Sequence, residues 1–348
     1  VVKNKPGHIL VIRFSALGDV AMTVPVLTAF TKQFPQTRIT VLTRPFFKPI
    51  FSGLENINVI GAELKDKHKG VTGLARLYSH LAEMEFDAVA DLHNVLRTKI
   101  LKKYFLLSRI PFVQIDKGRK EKKALTRGRN KQFSPLKSTF ERYADVFRKL
   151  GYDLSLDHAT PKPRAPLSVH RNPDLIRSSA KWIGIAPFAA FNSKMYPLDK
   201  MEEVIAALNN TNKYKILLFG AGEYEVSVLK AFAEKYSNAI NMAGEFTFEE
   251  ELAVISNLDL MLSMDSGNGH LAAMYGVPAI TIWGVTHPYA GFTPFGQNPA
   301  YSLLPDRDSF PLLPTSVYGK RFPKGYDDAI GTIEPAQIVE KVEFVLKS

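Results

Sequence analysis

The sequence predicts an α/β protein made of two doubly wound domains in tandem, each a parallel sheet with helices on both faces. Three observations lead there. Short apolar strand patterns alternate with amphipathic helix patterns, that alternation occurs twice along the 348 residues, and a proline-rich stretch separates the two occurrences.

The first pattern opens with the apolar run from His8 into Arg13, a strand that ends at the turn Ser15 to Asp19. A helix follows, with Val20, Val24, Leu27 and Phe30 to Phe34 carrying its apolar positions. RITVLT (38–43) is β-branched enough for the next strand. Val71, Leu74, Leu77, Leu81 and Met84 share one helical face, and DAVAD (87–91) is a short strand after it. The second pattern predicts strands over 182–187, 215–220, 259–264 and 279–283. Helices are expected over 198–209, 224–235, 248–256 and 267–275, the last stopped by Gly276 and Pro278. Residues 160–166 hold three prolines and read as a stiff linker. The expected domains are therefore 1–160 and 161–348, with a final helix at 335–346 that is a candidate to pack back on the N-terminal domain. In open parallel sheets ligands bind beyond the carboxyl ends of the strands, so the loops there are where chemistry is sought.

Composition narrows the class. The chain is 45% hydrophobic and has no cysteine, which excludes disulfides, thiolate metal sites and cysteine nucleophiles. No apolar run reaches the length of a membrane span, and residues 1–7 are too short and polar for a signal peptide, so a cytoplasmic protein is expected. The net charge is +11, and all of the excess lies in 1–160, with 28 basic against 14 acidic residues. Such a field attracts anionic partners. Residues 117–131 alone hold eight basic residues and one acidic. They read as a mobile loop able to meet acidic lipid headgroups or a phosphorylated acceptor; without aromatic side chains for stacking, nucleic acid is not expected there.

Several loops can carry chemistry. Asp265, Ser266, Gly267, Asn268 and His270 follow an apolar strand and open a helix, where free N–H groups suit a diphosphate. An ordinary capped turn has the same appearance. In the matching place of the first domain, Gly18 allows a tight turn and Asp19 starts a helix; its carboxylate either accepts a proton from a sugar hydroxyl or only caps the helix. Lys194, after the strand 182–187, can meet a phosphate as a point charge. Gly220-Ala-Gly-Glu-Tyr-Glu225 resembles a dinucleotide fingerprint with Glu225 in place of the third glycine, which disfavours NAD; Glu223 can hydrogen-bond a ribose instead. His93, Asn94 and Arg97 follow the strand 87–91 and can line an acceptor side. No histidine pair has metal-ligand spacing, and Asp306 and Asp308 lie in a proline-rich loop rather than at a strand end, so no metal is expected.

Together these segments resemble glycosyltransferase family 9, the ADP-heptose:lipopolysaccharide heptosyltransferases. The resemblance is carried by ILVIRFSALGDVAMTVPVL near the start and by SMDSGNGHLAAMYGVPAITIWGVTHPYAGF in the second half. It implies a GT-B fold, two Rossmann-like domains facing across a cleft, and an inverting, metal-independent transfer of heptose to a lipopolysaccharide inner-core or related glycolipid acceptor. By that resemblance Asp19 is the catalytic base, and Lys194 binds the donor phosphates. Asp265 is the donor-site aspartate, Glu223 or Glu225 holds the ribose, and Arg97 sits on the acceptor side. No cofactor is implied, since ADP-heptose is a substrate, and the implied location is the cytoplasm, peripheral on the inner face of the membrane. The family often carries hydroxyl residues where this chain has Ala189 and Ala190. The rival readings are a transferase with another nucleotide-sugar or acceptor, and a non-catalytic binder of acidic glycolipid or RNA through residues 117–131.

Overall fold

The computed structural model describes residues 5–167 and 180–347. The chain divides into two compact units, Val1–Lys117 with Ser138–Lys162, and Gly118–Lys137 with Pro163–Ser348. The expected boundary at 160 thus moves to 162, and the basic segment falls in the second unit. Lys162 of the linker is buried and donates to the Ile50 carbonyl at 2.7 Å. Three residues on, Ala165 is held by Ser256 and Asn257 of the second unit, at 2.9 and 2.8 Å.

The first unit contains β1 (His8–Ile12), α1 (Leu17–Ala21), α2 (Thr23–Gln33), β2 (Arg38–Thr43), β3 (Ile57–Gly61), α3 (Gly70–Ala82), β4 (Ala88–Asp91), α4 (Leu96–Leu107) and β5 (Phe112–Gln114). The next helix, α5 (Arg119–Thr126), belongs to the second unit; α6 (Thr139–Lys149) returns to the first. The sheet order is β3-β2-β1-β4-β5 and every pairing is parallel. β1 is central and all five of its residues are buried, as a strand covered on both faces requires. Leu10 and Ile12 join Leu77, Leu81, Leu101 and Phe105 in one core cluster. Elsewhere Phe30 of α2 meets Phe147 of α6 and Tyr152, each at 4.8 Å between ring centroids. The expected single helix from Val20 to Phe34 is two helices that meet at Met22.

The second unit continues with β6 (Lys181–Ala186), α7 (Leu198–Asn210), β7 (Tyr214–Leu218), α8 (Glu223–Lys235), β8 (Ala239–Asn241), α9 (Phe248–Ser256), β9 (Leu260–Met264), α10 (Gly267–Met274), β10 (Ala279–Ile282), β11 (Ser302–Leu303) and α11 (Pro335–Lys347). Its parallel order is β11-β10-β9-β6-β7-β8. α10 ends as expected: Gly276 takes φ +74°, and the Val277 N–H donates to the Ala272 carbonyl at 3.1 Å. α11 supplies Ile338, Val342 and Val345 to the second unit's own core and packs on α7, so a return to the first domain is not what buries its apolar face.

Both sheets are doubly wound. In the first the order reverses between β1 and β4, in the second between β6 and β9. Each reversal leaves a crevice at the strands' carboxyl ends, because the helices on its two sides lie on opposite faces of the sheet.

Candidate active site

In the first unit the loops after β1 and β4 flank the switch point. Arg13 follows β1 directly and is buried. Its guanidinium donates to the Leu92 carbonyl at 2.7 Å, forms an ion pair with Asp19 Oδ2, and lies 5.9 Å from the centre of the Tyr143 ring. Asp19 is the third residue of α1; the Ala16 N–H donates to the same Oδ2 at 3.3 Å, and the Tyr143 hydroxyl donates to the Asp19 carbonyl at 3.2 Å. Both contacts to the side chain thus land on Oδ2 of a carboxylate that is 28% exposed. Asp19 both caps its helix and presents an oxygen. Gly18 lies inside α1 rather than in a turn before it; its carbonyl accepts from the Met22 N–H at 2.8 Å.

The loop after β4 is held by Asp91, wholly buried. Asp91 Oδ1 accepts the His93 and Asn94 N–H groups, each at 2.9 Å, and Oδ2 accepts Gln114 Nε2 at 2.8 Å. Asn94 sits at φ +46° and donates to the Ile115 carbonyl at 3.0 Å. Burial, and then the charges of Arg13, Lys117 and Arg97, push the His93 imidazole down to about 3, so it is neutral; its Nδ1 accepts from the Phe14 N–H at 3.4 Å. His93 and Asn94 therefore shape the turn, whereas Arg97 is exposed. With Phe14, Ser15, Arg44, Phe46 and Lys65 it lines a pocket of about 390 Å³.

In the second unit the loops after β6 and β9 bring Lys194 to Asp265, Nζ to Oδ2 at 2.9 Å, with both side chains nearly buried. The Thr286 hydroxyl donates to the same Oδ2 at 2.8 Å. Local packing explains the placement. The Val285 N–H donates to the Ser193 carbonyl at 3.2 Å, and the Ser193 hydroxyl to the Gly319 carbonyl at 2.6 Å. Gly284 lies so close that a Cβ there would stand 2.1 Å from the Ser193 oxygen. Ser266 precedes α10 in extended conformation and makes no side-chain cap; its hydroxyl oxygen is buried without a partner. Gly267 and Asn268 form the half-buried first turn, and His270 is buried behind them. The first turn of α10 thus has no side-chain cap from Ser266 for its amides.

Glu223 and Glu225 differ. Glu225 Oε2 accepts the Ala221 N–H at 2.8 Å, which ties it to its own turn. Glu223 is the exposed first residue of α8. Asp306 likewise closes its own loop, accepting from the Asp308 N–H at 2.9 Å and the Ser309 hydroxyl at 2.6 Å.

The segment expected to be a mobile basic loop is structured. It forms α5 and a strap to residue 137, because part of its charge finds internal partners. Lys131 donates to the Leu312 and Pro314 carbonyls at 2.5 and 2.6 Å, and Lys122 is buried over the Phe292 ring at 4.1 Å. Phe133 sits between Arg307, 3.8 Å from its ring, and the rings of His287 and Tyr289, at 5.1 and 4.9 Å. The Leu136 N–H donates to the Tyr289 carbonyl at 2.9 Å. Burial, and then Arg307 and Lys131, push His287 down to about 4. The strap thus braces the loop that carries Thr286.

Arg13, Tyr143 and Thr286 were not singled out from the sequence. Arg13 left a signal, a charged residue ending an apolar strand six positions before Asp19. Thr286 lies within a segment that resembles the family, but nothing in its spacing distinguishes it.

Comparison with known proteins bears on this arrangement. Residues 74–308 match the profile of Glycosyltransferase family 9 (heptosyltransferase). Lipopolysaccharide core heptosyltransferase OpsX of Haemophilus influenzae is 26% identical over 292 residues, 81% of this chain and 80% of that one. Lipopolysaccharide heptosyltransferase 3 of Escherichia coli is 26% identical over 308 residues, 84% and 89% of the two chains. Among solved structures, a glycosyl transferase family 9 protein from Veillonella parvula superposes with TM-score 0.75 at 18% identity, covering 98% of this chain and 97% of that one. The E. coli heptosyltransferase WaaC, solved with ADP-2-deoxy-2-fluoro heptose, gives 0.68 at 19% identity, covering 97% and 99%. The two parallel sheets are those of a GT-B protein. No helix among the described residues is long and apolar enough to cross a membrane.

Proposed function

Because the chain belongs to glycosyltransferase family 9, the heptosyltransferases, we propose that it moves heptose from ADP-heptose to a lipopolysaccharide inner-core or related glycolipid acceptor, with inversion and without a metal. The observation that carries this reading is the Lys194–Asp265 pair beside the uncapped start of α10. Lys194 neutralises Asp265, so a diphosphate meets no net negative charge there. The amides of Ser266 to Gly269 and the Lys194 ammonium stabilise the departing ADP, which is the work a metal would otherwise do. Glu223, rather than the internally bonded Glu225, is free to accept from the ribose hydroxyls.

Asp19 Oδ1 takes the proton of the acceptor hydroxyl as that oxygen bonds the anomeric carbon and the bond to the diphosphate breaks. Arg13 holds the carboxylate's other oxygen, so the base is oriented before the acceptor arrives. Arg97, with Arg44 and Lys65, takes an anionic part of the acceptor in a pocket whose wall also carries Glu63 and Asp66. The reaction then belongs in the cytoplasm, at the inner face of the membrane. A contact with that surface through residues 117–131 has five exposed cations to work with, Arg119, Lys120, Lys123, Arg127 and Arg129.

The test is to incubate the protein with ADP-heptose and a deacylated inner-core acceptor, follow ADP release, and assign the new linkage by NMR. Asp19→Asn should lower kcat roughly 10²–10⁴-fold with little change in donor KM. A near-unchanged rate would remove the base assignment, and a retained anomeric configuration would remove inversion. Addition of EDTA should leave the rate unaltered; its loss, restored by a divalent ion, would remove metal independence. A panel of other nucleotide-sugars in the same assay decides the donor.

A further inference from the structure

We propose that α4 is a membrane-docking helix that lies on an acidic lipid surface. Thr98, Leu101 and Phe105 are its buried face. Leu96, Lys99, Lys103, Leu106 and Leu107 fall within one arc of about 100° on the opposite side, at the 100° per residue of an α-helix. All five are exposed, and the leucines are 75%, 50% and 82% accessible at 96, 106 and 107. Residues 96–110 hold five basic residues, Arg97, Lys99, Lys102, Lys103 and Arg109, and no acidic one. Lys102 is engaged by Gln114 at 3.1 Å, and the others face outward.

Large leucines on a soluble surface call for a partner, and interspersed lysines define which kind. An apolar protein groove would leave the ammonium groups desolvated. A bilayer with anionic headgroups takes the leucines into its acyl boundary while the lysines, on long stems, stay level with the phosphates. The exposed cations of residues 117–131 lack this second half, since Leu125 there is buried and no exposed apolar residue stands among them. They offer attraction without insertion. α4 also begins beside the pocket, because Arg97 in its first turn lines it and the half-exposed Phe46 ring stands on the same wall. A lipid-borne headgroup would therefore meet the pocket at the N-terminal end of the docked helix; this last step rests on the function proposed above, whereas docking itself does not.

The test is cosedimentation of the full chain with phosphatidylcholine vesicles, with and without phosphatidylglycerol. The wild type should bind only the vesicles that contain phosphatidylglycerol, and raised salt should weaken it. Lys99→Glu with Lys103→Glu, and separately Leu106→Ser with Leu107→Ser, should each reduce binding about tenfold or more. Because these side chains are exposed, thermal melting and turnover on a water-soluble acceptor should not change. Arg119→Glu with Lys120→Glu should have a smaller effect than either pair. Absent wild-type binding, or binding equal in the α4 variants, would overturn the proposal. So would a wild-type dimer that the leucine variants dissociate, since a second copy would then cover the helix. Vesicle binding without any transfer activity would count against the proposed reaction and leave the docking surface standing.

Discussion

Two oxygens of Asp19 have different surroundings, and Arg13 is the cause. Replacing Arg13 with Met removes the ion pair and the donor to the Leu92 carbonyl together. Because Asp19 is partly exposed, the expected loss is about 2–3 kcal/mol rather than that of a fully buried pair, read from urea denaturation. Lys194 is the counterpart in the second unit. Lys194→Met should weaken ADP binding roughly 10–100-fold, measured by calorimetry, while Glu225→Gln should weaken it less than Glu223→Gln. A pH effect belongs at this scale too. His93 and His287 stay neutral in the folded protein down to about 3 and about 4, whereas unfolded imidazoles take a proton below their ordinary value of 6.5. Between those limits the unfolded chain binds more protons, so stability falls as pH drops from 6.5 towards 4. His287→Gln should make that fall shallower in melting curves taken across the range.

At the scale of elements, the strap 118–137 and the loop 284–291 are one device. Phe133→Ala opens a gap against His287, Tyr289 and Arg307. It should raise donor KM more than it lowers kcat, since Thr286 positions Asp265 through this loop. Gly284→Ala would push a methyl into the Ser193 carbonyl; a stability loss of about 1–3 kcal/mol is expected, with weaker ADP binding because Lys194 is the next residue. The elements most legible in the sequence were those with a clear period and a clear stop, such as Phe248–Ser256, predicted to the residue, and Arg38–Thr43. α5 was illegible because a run of cations looks like a solvated loop until the Phe292 ring is known to lie against Lys122; the Leu312 and Pro314 carbonyls hold Lys131 in the strap beyond it. α6 was missed although Ser138 caps it by accepting the Glu141 N–H; its apolar positions are interrupted by charge, and Arg142 is buried among them.

At the scale of the whole molecule, the positive bias of the first 160 residues shrinks once the strap is assigned to the second unit. The first unit then carries 21 basic and 13 acidic residues and the second 24 and 21. Anion attraction is thus shared, which fits a protein proposed to handle a phosphorylated donor and an anionic acceptor. The candidate groups Asp19, Lys194 and Asp265 were readable because strand-end loops are where such folds bind ligands; Thr286, which reaches Asp265 across 21 positions, was not, and Arg13 showed only as a charge at the end of the strand before Asp19.

The assignment of Gly118–Lys137 to the second unit means that the polypeptide passes between the units at 117/118, 137/138 and 162/163. A chimera that borrows a relative's donor unit by a single splice near residue 160 would therefore import a body missing its own brace. Grafting should succeed only when all three junctions are exchanged, and a fragment beginning at Pro163 should melt cooperatively only when a peptide spanning 118–137 is supplied in trans.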